Sequence, residues 1–332
     1  MKELRCAVIG LGIGKRHAMV LSQMDDLKLV AVADLKEELV GGLAKQLGVA
    51  SYERGEELLG AEEIDFVCIC TPPAAHLFLT EKAATQGINV FCEKPMAPSV
   101  KACEGMIEAC REGGVKLMIG HKKRFQPAFR FLKEMSGEGA DFGLPLWANL
   151  RYACGPVGMD WFWEEDNGGG PLLENSSHAF DMLRYLMGEV ISVQAAGGNL
   201  FNRDRAPQLD TAAVSLRFET GAIASVGCGQ AYEWSFAGEN SFVACEKAVV
   251  EISGSFDNPE HLRYVMREEP ERVIEVDQPE RDLFEIELEH FAECIREDSR
   301  PLTSGEESMR AVEICLAVKR AVRSEEPVRL GE

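Results

Sequence analysis

Residues 6–17, CAVIGLGIGKRH, constrain this chain more than any other stretch. An apolar run stops at three glycines in alternate positions, Gly10, Gly12 and Gly14, and the sequence from Lys15 onward reads as a helix. A strand that turns through glycine into a helix start presents bare backbone N–H groups and the positive end of a helix dipole at one point. Both suit a pyrophosphate. A second strand-like run, 27–33 (LKLVAVA), stops at Asp34, twenty-four positions after Gly10, where a dinucleotide fingerprint places an acid on the adenosine ribose. Gly10, Leu11, Gly12, Ile13, Gly14 and Asp34 are therefore the candidate cofactor contacts. A carboxylate at Asp34 accepts hydrogen bonds from ribose hydroxyls and repels a 2′-phosphate, so NAD(H) is preferred, with NADP(H) left open.

The remainder of the first third alternates strand-like and helix-like segments, the pattern of a parallel sheet covered on both faces. Strands are expected at 4–9, 27–33, 66–70, 89–92 and 115–119, with helices at 15–24, 36–47, 76–86 and 100–112. Gly48, Gly87 and the Gly113-Gly114 pair stand where helix C-caps belong, and Ser99 can cap the start of the last helix. The carboxyl ends of such strands line one crevice. Two further ends carry non-random residues: Cys70-Thr71-Pro72-Pro73 with His76 after it, and Glu93-Lys94-Pro95. The prolines stop strand pairing and hold the chain extended along the crevice floor.

After Gly120 the character changes. A helix at 127–135 leads through a glycine-rich joint to a strand at 146–152, and later segments alternate with period two. In TAAVSLRFETGAIASVGC, Val214, Leu216 and Phe218 face one way while Ser215 and Arg217 face the other, and Glu219-Thr220-Gly221 makes a hairpin turn. The second part is thus an α+β domain with an antiparallel sheet, a helix at 172–187 laid upon it, and two tail helices at 280–297 and 306–323. Phe284, Leu288, Phe291 and Ile295 mark the apolar face of the first tail helix, and Met309, Val312, Leu316 and Val318 that of the second. The boundary falls near residue 120, giving a dinucleotide-binding domain at 1–120 and a substrate-binding and oligomerisation domain at 121–332. The C-terminal helices are placed to pack back on the first.

Composition excludes several function classes. With 35 basic against 55 acidic residues the net charge is -20, which argues against nucleic acid and anionic lipid as partners and for a small organic substrate. Eleven cysteines, an odd number scattered through strands and helices without a signal peptide, point to reduced thiols in a cytoplasm. The absence of a C-x-x-C pair argues against a structural zinc site, so no metal is expected, and no apolar run reaches membrane-spanning length.

GLGIGKRHA, CTPPAAH, CEKP, KKRFQP and GGGPLLENSSHAFD, in this order and at these separations, resemble the glucose-fructose oxidoreductase, inositol dehydrogenase and rhizopine-catabolism family of NAD(P)-dependent oxidoreductases. The resemblance covers essentially the whole chain, and the EKP segment with the GGG…H-x-x-D segment is its specific part. It implies a Rossmann domain followed by a domain with a large, open, mostly antiparallel sheet that forms dimers or tetramers. It also implies hydride exchange between nicotinamide and a secondary alcohol or ketone of a sugar, cyclitol or related polyol. Carried over by position, Lys94 is the active-site lysine, His178 the catalytic histidine and Asp181 its support, while Glu93, Thr71 and His76, with Pro72 between them, lie beside the nicotinamide ribose. Two departures stand out. Glu174 replaces an aspartate four residues before the histidine and Ser176 replaces a glycine two before it, and Lys15 stands where a third glycine is common.

The residue chemistry agrees with these roles. Imidazole titrates near neutral pH and can take or return the hydroxyl proton, and Asp181 and Glu174, at i+3 and i−4 from His178 on the same helix, share its face. The Lys94 ammonium stabilises developing alkoxide. Trp161, Phe162 and Trp163 either wall a substrate pocket or anchor a loop in the core, and Arg124 and Tyr152 are further pocket candidates. Two other readings stay open: a non-catalytic nucleotide-binding regulator of the same fold, and a reductase of a non-sugar carbonyl that relies on Lys94.

Overall fold

Between Leu4 and Ile119 the apolar runs become six strands: β1 (Leu4–Ile9), β2 (Leu27–Ala33), β3 (Ala50–Tyr52), β4 (Phe66–Ile69), β5 (Asn89–Cys92) and β6 (Leu117–Ile119). In this computed structural model, which describes residues 3–205, 207–233, 238–254, 259–276 and 281–331, they pair parallel throughout in the order β3-β2-β1-β4-β5-β6. The crossovers are α1 (Gly14–Leu21), α2 (Glu37–Leu47), α3 (Gly55–Ala61), α4 (His76–Thr85) and α5 (Val100–Gly113). Strand order reverses between β1 and β4, so the carboxyl ends of these two strands flank the crevice where such sheets bind ligands. Gly48 and Gly114 end their helices in the left-handed conformation, and the Ser99 side chain accepts the Ala102 N–H. Only β3 and α3 escaped the sequence pattern. Three residues are too few to show alternation, and none of the three is fully buried.

The chain divides into two units, Met1–Lys122 with Arg281–Met309 and Lys123–Glu280 with Arg310–Glu332. Within the first, α10 (Leu283–Glu297) begins at Asp282, which caps it by accepting the Phe284 N–H; Glu280, the first residue of the helix read from the sequence, lies outside the described residues. Phe291 meets Phe66 edge-on at 5.6 Å and Phe91 at 6.0 Å, so the apolar stripe of α10 covers β4 and β5. Past α10, Thr303 closes the free edge of β6. Its carbonyl accepts the Ile119 N–H at 2.8 Å and its hydroxyl donates to the Ile119 carbonyl at 2.6 Å.

The second unit holds α6 (Pro127–Met135), α7 (Asp160–Trp163), α8 (Gly170–Glu174), α9 (Ser177–Met187) and most of α11 (Gly305–Ser324). Its strands are β7 (Pro145–Ala153), β8 (Val190–Gly198), β9 (Thr211–Phe218), β10 (Ile223–Gly229), β11 (Gly238–Cys245), β12 (Ala248–Gly254), β13 (Pro259–Met266), β14 (Val273–Val276) and β15 (Val328–Arg329). They form one sheet in the order β14-β13-β12-β11-β7-β10-β9-β8-β15, antiparallel except for β7 beside β10. The predicted alternation of β9 is observed, with Val214, Leu216 and Phe218 buried and Ser215 and Arg217 exposed. The segment 172–187, expected as one helix, is two. Asn175 and Ser176 both donate their N–H groups to the Pro171 carbonyl at 3.1 Å, and the Asn-Ser-Ser run prefers such local bonds to helix continuation. On α11 the buried face is Ala311, Val312, Ile314, Cys315, Ala317 and Val318, with Met309 and Leu316 half-buried.

All eleven cysteines are free and buried, and desolvation raises the thiols of Cys68, Cys70 and Cys92 well above their usual range. No helix among the described residues is long and apolar enough to cross a membrane.

Candidate active site

The glycine turn is built for close approach. Gly10 has φ +86°, and a Cβ there would stand 2.6 Å from the Cys70 carbonyl oxygen. Gly14 opens α1, and a Cβ on it would lie 2.9 Å from both Cys70 Cβ and Val8 Cγ1. Gly14 thus does the helix-against-strand packing of a third glycine, one residue earlier than the usual spacing. Gly12 has nothing within 4 Å of its would-be side chain, and no side chain caps the start of α1. Asp34 faces this turn from the end of β2; its Oδ2 accepts the Leu11 N–H at 2.6 Å and its Oδ1 the Lys36 N–H at 2.9 Å. At the end of β4, Thr71 keeps a buried hydroxyl that has no hydrogen-bond partner among the described residues. An open glycine, an uncapped helix start and an unsatisfied hydroxyl at one sheet edge fit a dinucleotide.

Lys94 follows β5, half-buried, with a cis bond to Pro95. Its neighbour Glu93 and nearby His76 are held by protein partners. One Glu93 oxygen lies 2.6 Å from His17 Nε2 and the other accepts the Lys94 N–H at 3.1 Å. Burial alone would raise the Glu93 carboxyl, but the His17 hydrogen bond and the charges of His17, Lys94 and Lys122 prevail and pull it down to about 2. The His76 ring nitrogens lie 2.8 Å from the Thr71 carbonyl and 3.1 Å from that of Met96, and the ring is fully buried, which lowers its pKa. Glu93 and His76, expected beside the nicotinamide ribose, each make hydrogen bonds within the protein. Their polar atoms are spent on protein partners, and both residues brace the segment that carries Lys94.

In the second unit His178 is the second residue of α9, 2% exposed, with its ring 6.1 Å from that of Tyr152 on β7. Asp181, one turn on, binds Arg124 with both oxygens, at 2.9 Å from Nε and 2.8 Å from Nη2, and the pair is 1% and 2% exposed. Arg124, a pocket candidate in the sequence, is paired with Asp181 and lies 5.1 Å over the Tyr185 ring. Glu174 is the last residue of α8, so the break at Asn175 and Ser176 removes the i−4 alignment with His178 that a continuous helix would give. Trp163 is 6% exposed and spends its indole N–H on the Val157 carbonyl at 2.9 Å, which makes it a loop anchor; Trp161 is half-buried.

Comparison with known proteins finds one family along both parts of the chain. Residues 4–121 match an oxidoreductase family's NAD-binding Rossmann fold and residues 145–330 match the C-terminal alpha/beta domain of the same family. The chain belongs to this oxidoreductase family. It is 28% identical over 345 residues to a myo-inositol 2-dehydrogenase of Thermotoga maritima, covering 99% of each chain. It is 27% identical to a scyllo-inositol 2-dehydrogenase (NAD(+)) of Bacillus subtilis, over 99% of this chain and 96% of the other. Among solved structures, an aldose-aldose oxidoreductase from Caulobacter crescentus complexed with glycerol superposes with a TM-score of 0.86 at 26% identity, over 99% of this chain and all of that one.

Two residues of this oxidoreductase lay outside the sequence argument. His17 sits inside the motif that named the glycine turn, yet nothing local shows that it binds Glu93. Glu287 is fully buried on α10 within 4.8 Å of both. Its signal was available: it interrupts the apolar stripe of Phe284, Leu288 and Phe291 with a carboxylate.

Proposed function

We propose that this oxidoreductase is an NAD(H)-dependent dehydrogenase that interconverts a secondary alcohol of a cyclitol, sugar or related polyol with its ketone. The reading is carried by Lys94, an ammonium that follows β5 at the carboxyl edge of a sheet whose glycine turn fits a dinucleotide. Gly12 and the first N–H groups of α1 would hold the pyrophosphate, and Thr71 offers its hydroxyl. Bound there, nicotinamide supplies the hydride acceptor or donor. Asp34, fixed by two backbone donors, puts an anion where a 2′-phosphate would lie and so favours NAD(H).

In the oxidative direction His178 takes the hydroxyl proton, and Lys94 stabilises the oxygen as charge develops on it. In reduction the imidazole returns the proton. Tyr152 places an aromatic surface beside the imidazole, suited to the C–H face of a sugar or cyclitol ring. Arg124 is committed to Asp181 and so is a poor receptor for an anionic substrate, which supports an uncharged one. Trp147 and Ile223, adjacent across β7 and β10, are 42% and 49% exposed, with Phe242 5.4 Å from Trp147; this apolar patch supports assembly with a second copy of the chain.

Nicotinamide absorbance, followed while myo-inositol, scyllo-inositol and a set of aldoses are added with NAD+ or NADP+, tests the reading. Turnover with NAD+ is expected. Lys94→Met and His178→Gln should each lower kcat by about 10²- to 10⁴-fold while leaving NADH affinity within about threefold. Wild-type kcat in the Lys94 variant, or no turnover of any polyol, would overturn it. Loss with Lys94→Met but not with His178→Gln would leave a reductase that relies on the lysine alone.

A further inference from the structure

The first unit buries a second carboxylate where an apolar residue would pack. One carboxylate oxygen of Glu287, one of Glu93 and a ring nitrogen of His17 lie within 4.8 Å of one another, and all three residues are buried. They arrive from three elements, α10, the end of β5 and α1. Burying a carboxylate is costly unless its charge is used, and Glu287 stands between Phe284 and Phe291 on the face that covers the sheet.

We propose that Glu287 is a positioning residue for Lys94, acting through His17 and Glu93; the proposal rests on the reading of Lys94 as the catalytic lysine. The imidazole of His17 is held between aromatic rings, 5.2 Å from Phe91 and edge-on to Phe284 at 5.0 Å, so its nitrogens have a fixed aim. One aims at Glu93, 2.6 Å away. A second carboxylate within 4.8 Å of that contact draws the imidazole N–H in the same direction and so helps hold the ring against Glu93. Glu93, gripped at one oxygen, cannot swing, and its other oxygen holds the Lys94 N–H. The backbone that aims the ammonium is thereby tied to α10, a helix nearly two hundred residues later in the chain. His17 contributes twice, since it also lies on the helix that follows the glycine turn. The same three donors could instead surround a divalent metal, and the test includes that outcome.

Glu287→Gln keeps the volume and removes the charge, whereas Glu287→Asp keeps the charge and loses a methylene. If the charge matters, Asp retains more activity than Gln; if packing matters, the order reverses. Hydrogen exchange reads the network without any substrate. In Glu287→Gln the Lys94 amide should exchange about tenfold faster or more, while the β5 amides of Val90 to Cys92 keep their wild-type rates. On the polyol that turns over, kcat should fall about 10- to 100-fold with NADH affinity unchanged, and Glu287→Gln should add no further loss in a Lys94→Met background. An unchanged Lys94 amide, a uniform rise across β5, or stoichiometric zinc or manganese recovered with the purified protein would overturn the proposal. Full activity in Lys94→Met would overturn the reading beneath it and leave the amide result standing.

Discussion

The pairing of Arg124 with Asp181 predicts a large and specific effect of Asp181→Asn. An exposed ion pair stabilises by about 0 to 1 kcal/mol, because water screens it and two long side chains must be ordered. This pair is different: guanidinium and carboxylate are 2% and 1% exposed, and two hydrogen bonds of 2.9 and 2.8 Å hold them in one plane. Asparagine preserves the shape but leaves a buried cation without its counter-charge, and breaking such pairs costs about 3 to 5 kcal/mol. Set against a total stability of about 5 to 15 kcal/mol, that is about a fifth or more of what keeps a domain folded. For a domain of this size each kcal/mol moves Tm by about 2 to 4 °C, so a fall of about 6 to 20 °C is expected. Arg124→Met alone should cost a similar amount. The double variant Arg124→Met with Asp181→Leu, which removes both charges and refills the space, should recover to within about 2 kcal/mol of the parent. Thermal and urea unfolding of the wild type, Arg124→Met, Asp181→Leu and the double variant give the coupling directly, and Asp181→Asn gives the cost of the unpaired cation. A loss under about 1 kcal/mol in Asp181→Asn, or a double variant as unstable as the two losses summed, would refute the reasoning. A large fall in kcat at unchanged stability would instead show that Asp181 works chiefly on His178.

Two further perturbations probe the glycine turn and the sheet. Gly14→Val should destabilise the first unit by about 1 to 3 kcal/mol, since its side chain would meet Val8 and Cys70 at 2.9 Å, and should weaken NADH binding at least about tenfold. Gly12→Ala, with nothing within 4 Å, should leave Tm unchanged and weaken NADH alone; equal effects on Tm from both changes would contradict the division of labour between the two glycines. Trp147→Arg puts a charge in the centre of the apolar patch on the open sheet and should shift sedimentation from an assembly to a monomer without lowering Tm. An unaltered assembly would place the interface elsewhere.

Sequence period and punctuation were sufficient for most elements of the first unit, because buried parallel strands are continuous apolar runs, α2 and α5 end on left-handed glycines, and Ser99 caps α5. β1, β2 and β5 begin and end where the apolar runs do. The interruption of 172–187 was less legible. Asn175 and Ser176 are weak helix formers, but whether a weak stretch bends is decided by what its N–H groups find, here the Pro171 carbonyl. Position in a motif likewise named Lys94, His178, Glu93 and His76 without showing which way each side chain turns.

What the linear order determined by itself is the sheet-and-crossover architecture of the first unit, the glycine turn with Asp34 opposite it, and the lysine at the end of β5. These depend on neighbours within a few residues or on strand ends that topology must gather at one edge. Side-chain partnership was decided only on folding. Asp181 went to Arg124, 57 residues away, Glu93 to His17, 76 away, and Glu287 arrived on a helix that joins the first unit from the far end of the chain. A buried charge must find its counter-charge wherever packing brings one, and the distance along the chain plays no part in that choice.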